Sequence, residues 1–377
     1  MGAPPPVQVV NCRHFGVCGG CSLPGVPYAE QLRAKQAQLH RWFPRTNILP
    51  IIPSPTEEGF RHKVAFVFGP GSRGSHLVMG HYQAGSTRVV PVEECPVHSS
   101  RGNALAFALR DQLSRAPIPP GILRHVLVRT SEDEREASMM LVVTANHKSL
   151  RAPVRRLLES AERPEGFFLN IHDKPGPFMV GRETLRLAGR SHVRQDLLGT
   201  SFLISPTAFF QTNVGAARAL LQVVLEAVGE ATPVLDLYSG GGLFTVSLAR
   251  SGAWVVAVEE NRRAVKDAQG NLRLNGVPPS HVRLMPTRAE DAVARLQNET
   301  FELVILDPPR QGCPDAVLDG IGRLDARRIV YVSCNPESLA HERARLEGSG
   351  YRLARLQGID MFPHTDHLEA VAVFDSL

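Results

Sequence analysis

The sequence predicts an open, parallel α/β sheet in the C-terminal part of the chain, preceded by a mostly antiparallel α+β unit. Three observations carry that expectation. VLDLY at 234–238, WVVAVE at 254–259, ELVILD at 302–307 and RIVYVS at 328–333 are unbroken, β-branched runs separated by helical stretches, the pattern of strands buried on both faces of a parallel sheet. Between residues 60 and 190, short apolar runs instead alternate with turn signals. The pattern switches near 195–208, which divides the chain into 1–200 and 205–377. At roughly 100–200 residues per domain, two domains account for a chain of 377 residues.

The first two dozen residues read as loop, with Cys12, Cys18 and Cys21 set among Gly16, Gly19, Gly20, Pro24 and Pro27. From Tyr28 to Phe43, the residues Tyr28, Leu32, Leu39, Trp42 and Phe43 recur at helical spacing, so an amphipathic helix able to pack on the C-terminal domain is expected. Lys35 and Gln36 interrupt its apolar face, and Pro44 ends it. Strands are expected at 64–68, 76–82, 125–131, 138–145 and 166–172, with helices around 101–114 and 150–162. The charged tract SEDERE at 131–136 reads as a solvated hairpin tip.

Apolar residues make up 43% of the chain and charged residues 21%, which excludes wholesale disorder, collagen-like repetition and coiled coil. Six cysteines in so long a chain are too few for a secreted disulfide scaffold. The net charge of +5 permits a polyanionic partner without demanding one. Only five of the 42 cationic residues are lysine, and arginine's planar fork suits phosphates and bases. The start Met1–Pro6 has no apolar core of signal-peptide length, and no stretch approaches the ~18 apolar residues of a membrane span. A cytoplasmic protein without membrane contact is expected.

VLDLYSGGGLFTVSLA at 234–249 is a buried strand, a glycine cluster and a helix start. The dinucleotide fingerprint G-x-G-x-x-G does not fit it. Glu259 ends the next strand, where a carboxylate can accept hydrogen bonds from both hydroxyls of a ribose. These features look like the adenosylmethionine-binding half of a Rossmann-like methyltransferase. In an open α/β sheet ligands bind beyond the carboxyl ends of strands, and Asp236, Glu259, Asp307 and Cys334 all fall at or just past such ends.

FFQTN at 209–213, DLYSGGGLF at 236–244, LDPPR at 306–310, SCNP at 333–336 and DMFPHTDHLE at 360–369 resemble the RNA uracil-5-methyltransferase family, in the expected order. The resemblance implies a Rossmann-like class I methyltransferase domain over 205–377. Uracil C5 becomes nucleophilic enough to accept a methyl group when a thiolate adds at C6; Cys334 matches that nucleophile, and Glu369 matches the base that then removes the C5 proton. Gln211, Tyr238, Gly240, Glu259 and Asp307 match the contacts to the cofactor, S-adenosyl-L-methionine, with Gln211 and Asp307 also near the uracil. Two positions depart from the family pattern: Tyr238-Ser239 replaces the commoner Phe-Cys, and Leu243 stands where some members have Asn.

Cys12, Cys18, Cys21 and Cys95 form a four-thiolate set, for which zinc and a [4Fe–4S] cluster are both candidates. A zinc ribbon brings two C-x2-C pairs, whereas here Cys95 stands alone, so iron–sulfur fits better. The arrangement resembles the cluster of the ribosomal RNA branch of the family and implies an iron–sulfur, RNA-binding α+β domain over 1–200. Cys313 remains as a structural residue near the site. Arg61, His62 and Lys63 resemble a substrate-facing stretch, although alone such a triplet reads as a solvated edge. Cys12 lies too early for the N-terminal RNA-binding barrel of some relatives. The expected partner is therefore RNA, 23S ribosomal RNA ahead of transfer RNA, and the expected state a monomer.

Overall fold

The computed structural model of the protein describes residues 10–23, 25–70, 77–174 and 179–377; the Met1–Pro6 start, Pro24 and the first residue of the strand expected at 76–82 lie outside them. Helix α1 (Tyr28–Trp42) leads into strand β1 (Ile48–Ile52). β2 (Lys63–Pro70), β3 (Leu77–Tyr82), β4 (Val89–Pro91), α2 (Ser100–Ser114), β5 (Leu123–Thr130), β6 (Ala137–Val143), α3 (Arg151–Leu158), β7 (Gly166–Ile171) and β8 (Glu183–Gly189) follow. These strands form a seven-stranded sheet in the order β4-β3-β2-β5-β6-β7-β8. Every pair is antiparallel except β6–β7, where α3 supplies the crossover that a parallel pair requires. Buried Val64, Phe66, Leu105, Leu109, Met139 and Phe167 join the sheet to α2 in one apolar core.

A hairpin of β9 (Val193–Leu197) and β10 (Thr200–Ile204) precedes the second unit. There follow α4 (Val214–Val228), β11 (Val234–Leu237), α5 (Leu243–Arg250), β12 (Val255–Val258), α6 (Arg262–Leu274), β13 (Val282–Met285), α7 (Ala289–Arg295) and β14 (Leu303–Leu306). The chain closes with α8 (Asp315–Leu324), β15 (Arg328–Ser333), α9 (Pro336–Gly348), β16 (Tyr351–Ile359) and β17 (Glu369–Ser376). The eight-stranded sheet runs β1-β16-β17-β15-β14-β11-β12-β13, with β17 antiparallel to both neighbours. It is the class I methyltransferase arrangement, with its topological switch between β11 and β14. The four parallel strands expected from the sequence are all central, and every residue of β11, β12 and β14 is buried.

Hydrogen bonding moves the expected boundary. α1 buries Leu39 in the core of the second sheet, the packing expected for this helix, and β1, which was not expected, pairs in parallel with β16 as that sheet's edge, so residues 28–52 pack with the C-terminal unit. Pro50 sits within β1, which an edge position tolerates because one side of the strand needs no donor.

Lys35, expected to interrupt the apolar face of α1, is buried on it with a partner. It is 1% exposed and its Nζ lies 2.8 Å from Asp360 Oδ1, itself 0% exposed. Burial holds the lysine pKa below its usual value, opposed by Asp360. Lys35→Met strands the carboxylate and is expected to cost about 3–5 kcal/mol, whereas Lys35→Met/Asp360→Asn recovers most of it. Chemical denaturation of both variants checks this, and equal stabilities would contradict it.

The tract at 131–136 also differs from a solvated tip. Glu134 accepts the Ser100 and Arg101 amides at 3.1 and 2.6 Å, capping the open N-terminus of α2, and Glu132 pairs with Arg218 of α4. The two units are thereby tied together. No helix among the described residues is long and apolar enough to cross a membrane.

Candidate active site

At the carboxyl ends of β11, β12 and β14 lies a cavity of about 840 Å3. Gln211, Tyr238, Gly240, Glu259 and Asp307, the five residues expected to contact the cofactor, all line it. The glycine loop builds its floor. Gly240 and Gly242 have φ of 55° and 90°, in the left-handed region, and a Cβ on Gly242 would lie 2.8 Å from Val246 Cγ2. Tyr238, also left-handed at φ 64°, turns the chain out of β11 toward the cavity. Glu259 accepts the amides of Gly240 and Asn261 at 2.9 and 2.7 Å, which fixes its carboxylate at the cavity wall. A glycine loop without side chains beside a fixed carboxylate fits an adenosyl ligand. Leu243 lines the same cavity and offers it only backbone polarity. Cys313, expected as structural, is buried there 3.7 Å from the Tyr238 hydroxyl, and burial pushes its thiol up to about 12.

Asp307 joins this cavity to a second group. β14 and β15 pair Leu306 with Tyr331, and β15 and β17 pair Ser333 with Ala370. Cys334 and Glu369 each lie one residue beyond that last pair, close enough for the charge of Glu369 to act on the Cys334 thiol. Because β17 runs antiparallel, its first residue stands at the rim where the parallel strands end, so Asp307, Cys334 and Glu369 crowd one edge of the sheet. Cys334 is half-buried, just before α9, whose first residue is Pro336. Burial, Glu369 and Asp307 together push its thiol up to about 11, against which the Arg310 guanidinium favours the thiolate. Glu369 is 3% exposed, and burial followed by the charge of Asp307 raises its carboxyl well above the usual range. A carboxyl so raised is a strong base once ionised. Arg310 was within the LDPPR motif but carried no expectation; it also lies 3.3 Å from His367 Nδ1.

Beneath the rim, Asp236 is wholly buried in β11 and accepts the Thr245 hydroxyl. Burial pushes it up to about 7 from 3.8, with Thr245 opposing. The folded state therefore holds a proton that the unfolded chain releases at lower pH. Stability from this group is present below about pH 4 and lost as pH rises through about 7. Asp236→Asn is expected to gain melting temperature relative to wild type across that window. Parallel melting curves against pH would contradict it.

A sequence profile of the tRNA (Uracil-5-)-methyltransferase family matches residues 182–376. The chain is 34% identical to an uncharacterized RNA methyltransferase of Gloeobacter violaceus, covering 95% of this chain and 80% of that protein. The chain belongs to the RNA uracil-5-methyltransferase family. A second family member, an uncharacterized RNA methyltransferase of Thermosynechococcus vestitus, is also 34% identical, over 96% of this chain and 83% of its own. The crystal structure of Pyrococcus abyssi tRNA (uracil-54, C5)-methyltransferase in complex with S-adenosyl-L-homocysteine superposes with a TM-score of 0.78 at 26% identity, covering 95% of this chain and 86% of that one. The protein is thus an RNA methyltransferase of the class I fold that uses S-adenosyl-L-methionine.

Cys12, Cys18, Cys21 and Cys95 lie beside the edge of the first sheet. Gly19 donates its amide to Tyr82 at 2.9 Å, which lays the Cys18 loop along β3. Cys21 feels the charges of Cys18 and Cys12, and Cys95 feels that of Cys21. Amides of Gly20, Val97 and His98 point at Cys18 and Cys95 sulfurs. Such donors suit anionic thiolates. Among the described residues no three of the four sulfurs lie within 4.8 Å of one another; the one such group is His81, Cys95 and His98. A single tetrahedral zinc, with Zn–S near 2.3 Å, would need the sulfurs closer than this.

The basic triplet is not a solvated edge. Arg61 lies beside Cys21 and Cys95, while His62 is buried and donates its amide to Thr212 of the FFQTN motif at 2.8 Å. Lys63 pairs in register with Arg129, and burial beside that guanidinium pushes it down to about 8.

Proposed function

We propose that the protein methylates C5 of a uridine in 23S ribosomal RNA, with Cys334 as nucleophile and Glu369 as base. The observation that supports the mechanism is that Cys334 and Glu369 both directly follow the last β15–β17 pair, with the charges of Glu369 and Asp307 acting on the thiol and Asp307 also lining the cofactor cavity. Cys334 adds to C6 of a uridine drawn out of its stack, as a base in structured RNA must be. Electron density pushed to C5 then takes the methyl group that S-adenosyl-L-methionine supplies. Glu369 removes the C5 proton, the C–H pair restores the C5–C6 double bond, and the C6–sulfur bond breaks. Gln211, Tyr238, Gly240, Glu259 and Asp307 hold the cofactor. Since one chain provides every one of these groups, a monomer suffices.

The ribosomal reading rests on Cys12, Cys18, Cys21 and Cys95, which suit a [4Fe–4S] cluster: four thiols, amides aimed at two of them, and sulfurs too far apart for one zinc ion. Held by these four thiols, the cluster would pin the N-terminal loop against the first sheet, and no step of the reaction draws on redox chemistry. Anaerobically prepared protein is expected to contain about four iron and four sulfide per chain, and stoichiometric zinc without iron would contradict this. Transfer RNA is the alternative, favoured by the Pyrococcus neighbour. The deciding experiment offers unmodified 23S RNA and unmodified tRNA separately and maps 5-methyluridine by mass spectrometry. Product in 23S RNA alone supports the proposal, and product in tRNA alone overturns its ribosomal half.

A further inference from the structure

We infer that Gln31 is a positioning residue for the base Glu369, acting through a clasp on the loop at 360–368. The inference rests on the reading of Cys334 and Glu369 just given. Glu369 is the first residue of β17, and its carboxylate makes no side-chain hydrogen bond among the described residues. Its place is therefore set by its backbone. On one side that backbone pairs with Ile359; on the other, β15 has already ended at Ser333. The loop that delivers the chain to Glu369 must carry the rest.

That loop is held from outside itself. His364 is 1% exposed with φ 65°, a left-handed conformation that costs a non-glycine residue about 1–3 kcal/mol unless its surroundings impose it. They do so here. Its amide donates to Gln31 Oε1 at 2.8 Å, and its carbonyl accepts the amides of Ser22 and Leu23 at 3.0 and 2.8 Å. Its Nε2 lies 2.8 Å from the Glu57 carbonyl, so Nε2 bears the proton and Nδ1 accepts from Gln31 Nε2 at 3.2 Å. Gln31 Nε2 also reaches the Val26 carbonyl at 2.7 Å. Meanwhile Lys35 Nζ binds Asp360 and the Phe362 carbonyl, at 2.8 and 3.2 Å. Gln31 and Lys35 lie one turn apart on α1, which accounts for the burial of both polar side chains on a helix whose other buried residue is Leu39. Ser22 directly follows Cys21, so the clasp begins where the cysteine loop ends.

If the clasp positions the base, releasing it slows one step only. Addition of Cys334 to C6 and methylation at C5 proceed, but the C5 proton stays longer, the C5–C6 double bond does not re-form, and the C6–sulfur bond persists. Gln31→Ala is therefore expected to raise the steady-state fraction of methylated Cys334–RNA adduct, read by denaturing electrophoresis, at least about tenfold over wild type. Cofactor affinity and methyl transfer in the first turnover should be unchanged. An adduct at the wild-type level, or adduct and first-turnover methylation falling together, would overturn the inference. Should Gln31→Ala not fold, Lys35→Met/Asp360→Asn, which removes both buried charges at once, is read the same way. Glu369→Gln runs alongside: if it too forms no adduct, the assignment of Cys334 and Glu369 fails and takes the inference with it, whereas adduct in Glu369→Gln but in neither clasp variant overturns the clasp alone.

Discussion

Glu369→Gln is expected to lower multiple-turnover methylation by about 10²–10⁴-fold, the usual worth of a positioned general base, while trapping the enzyme on its RNA. The side chain is nearly isosteric and burial already disfavours the charged carboxylate at its site, so folding and cofactor binding should survive. What is lost is the acceptor for the C5 proton. Methyl transfer in a single turnover should remain, and the covalent complex should accumulate. Rapid quench with gel analysis checks both. Full turnover by the variant would remove Glu369 from the mechanism.

Cys334→Ala is expected to bring methylation below detection, because without addition at C6 the uracil C5 is too weak a nucleophile. Cys334 does not line the cofactor cavity, so binding of S-adenosyl-L-methionine should be unchanged. The pairing of intact cofactor binding with absent methylation separates loss of the nucleophile from loss of the fold. Isothermal titration with the cofactor, beside a methylation assay, reads both. Residual methylation within about tenfold of wild type would point instead to direct transfer without covalent activation.

The parallel strands were legible because burial on both faces leaves unbroken β-branched runs, as in VLDL and LVIL. β1 was not, because ILPII is short and carries Pro50, a residue that argues against a strand unless it lies at an edge. β16 hid for another reason: in YRLARLQGI exposed Arg352 and half-buried Arg355 break the apolar run, and only tertiary pairing reveals the strand. Lys35 looked like a break in an apolar helix face because its partner, Asp360, is 325 residues away. Glu134 looked solvated because its role as a cap depends on where α2 begins in space.

The site divides in the same way. Residues that follow strand ends, Glu259, Asp307 and Cys334, could be placed from the strand pattern alone. That Glu369 comes close to Cys334 depends on the reversed direction of β17, which only the sheet order shows. The electrostatics came entirely from the fold, since no spacing in the sequence sets Asp307, Glu369 and Arg310 around one thiol.

The most direct test of covalent activation at Cys334 uses uridine-containing substrate RNA tritiated at C5. With S-adenosyl-L-methionine present, wild-type protein is expected to release tritium to water in step with methylation, and Cys334→Ala to release none. Methylation without tritium release, or release that survives loss of the thiol, would contradict the mechanism.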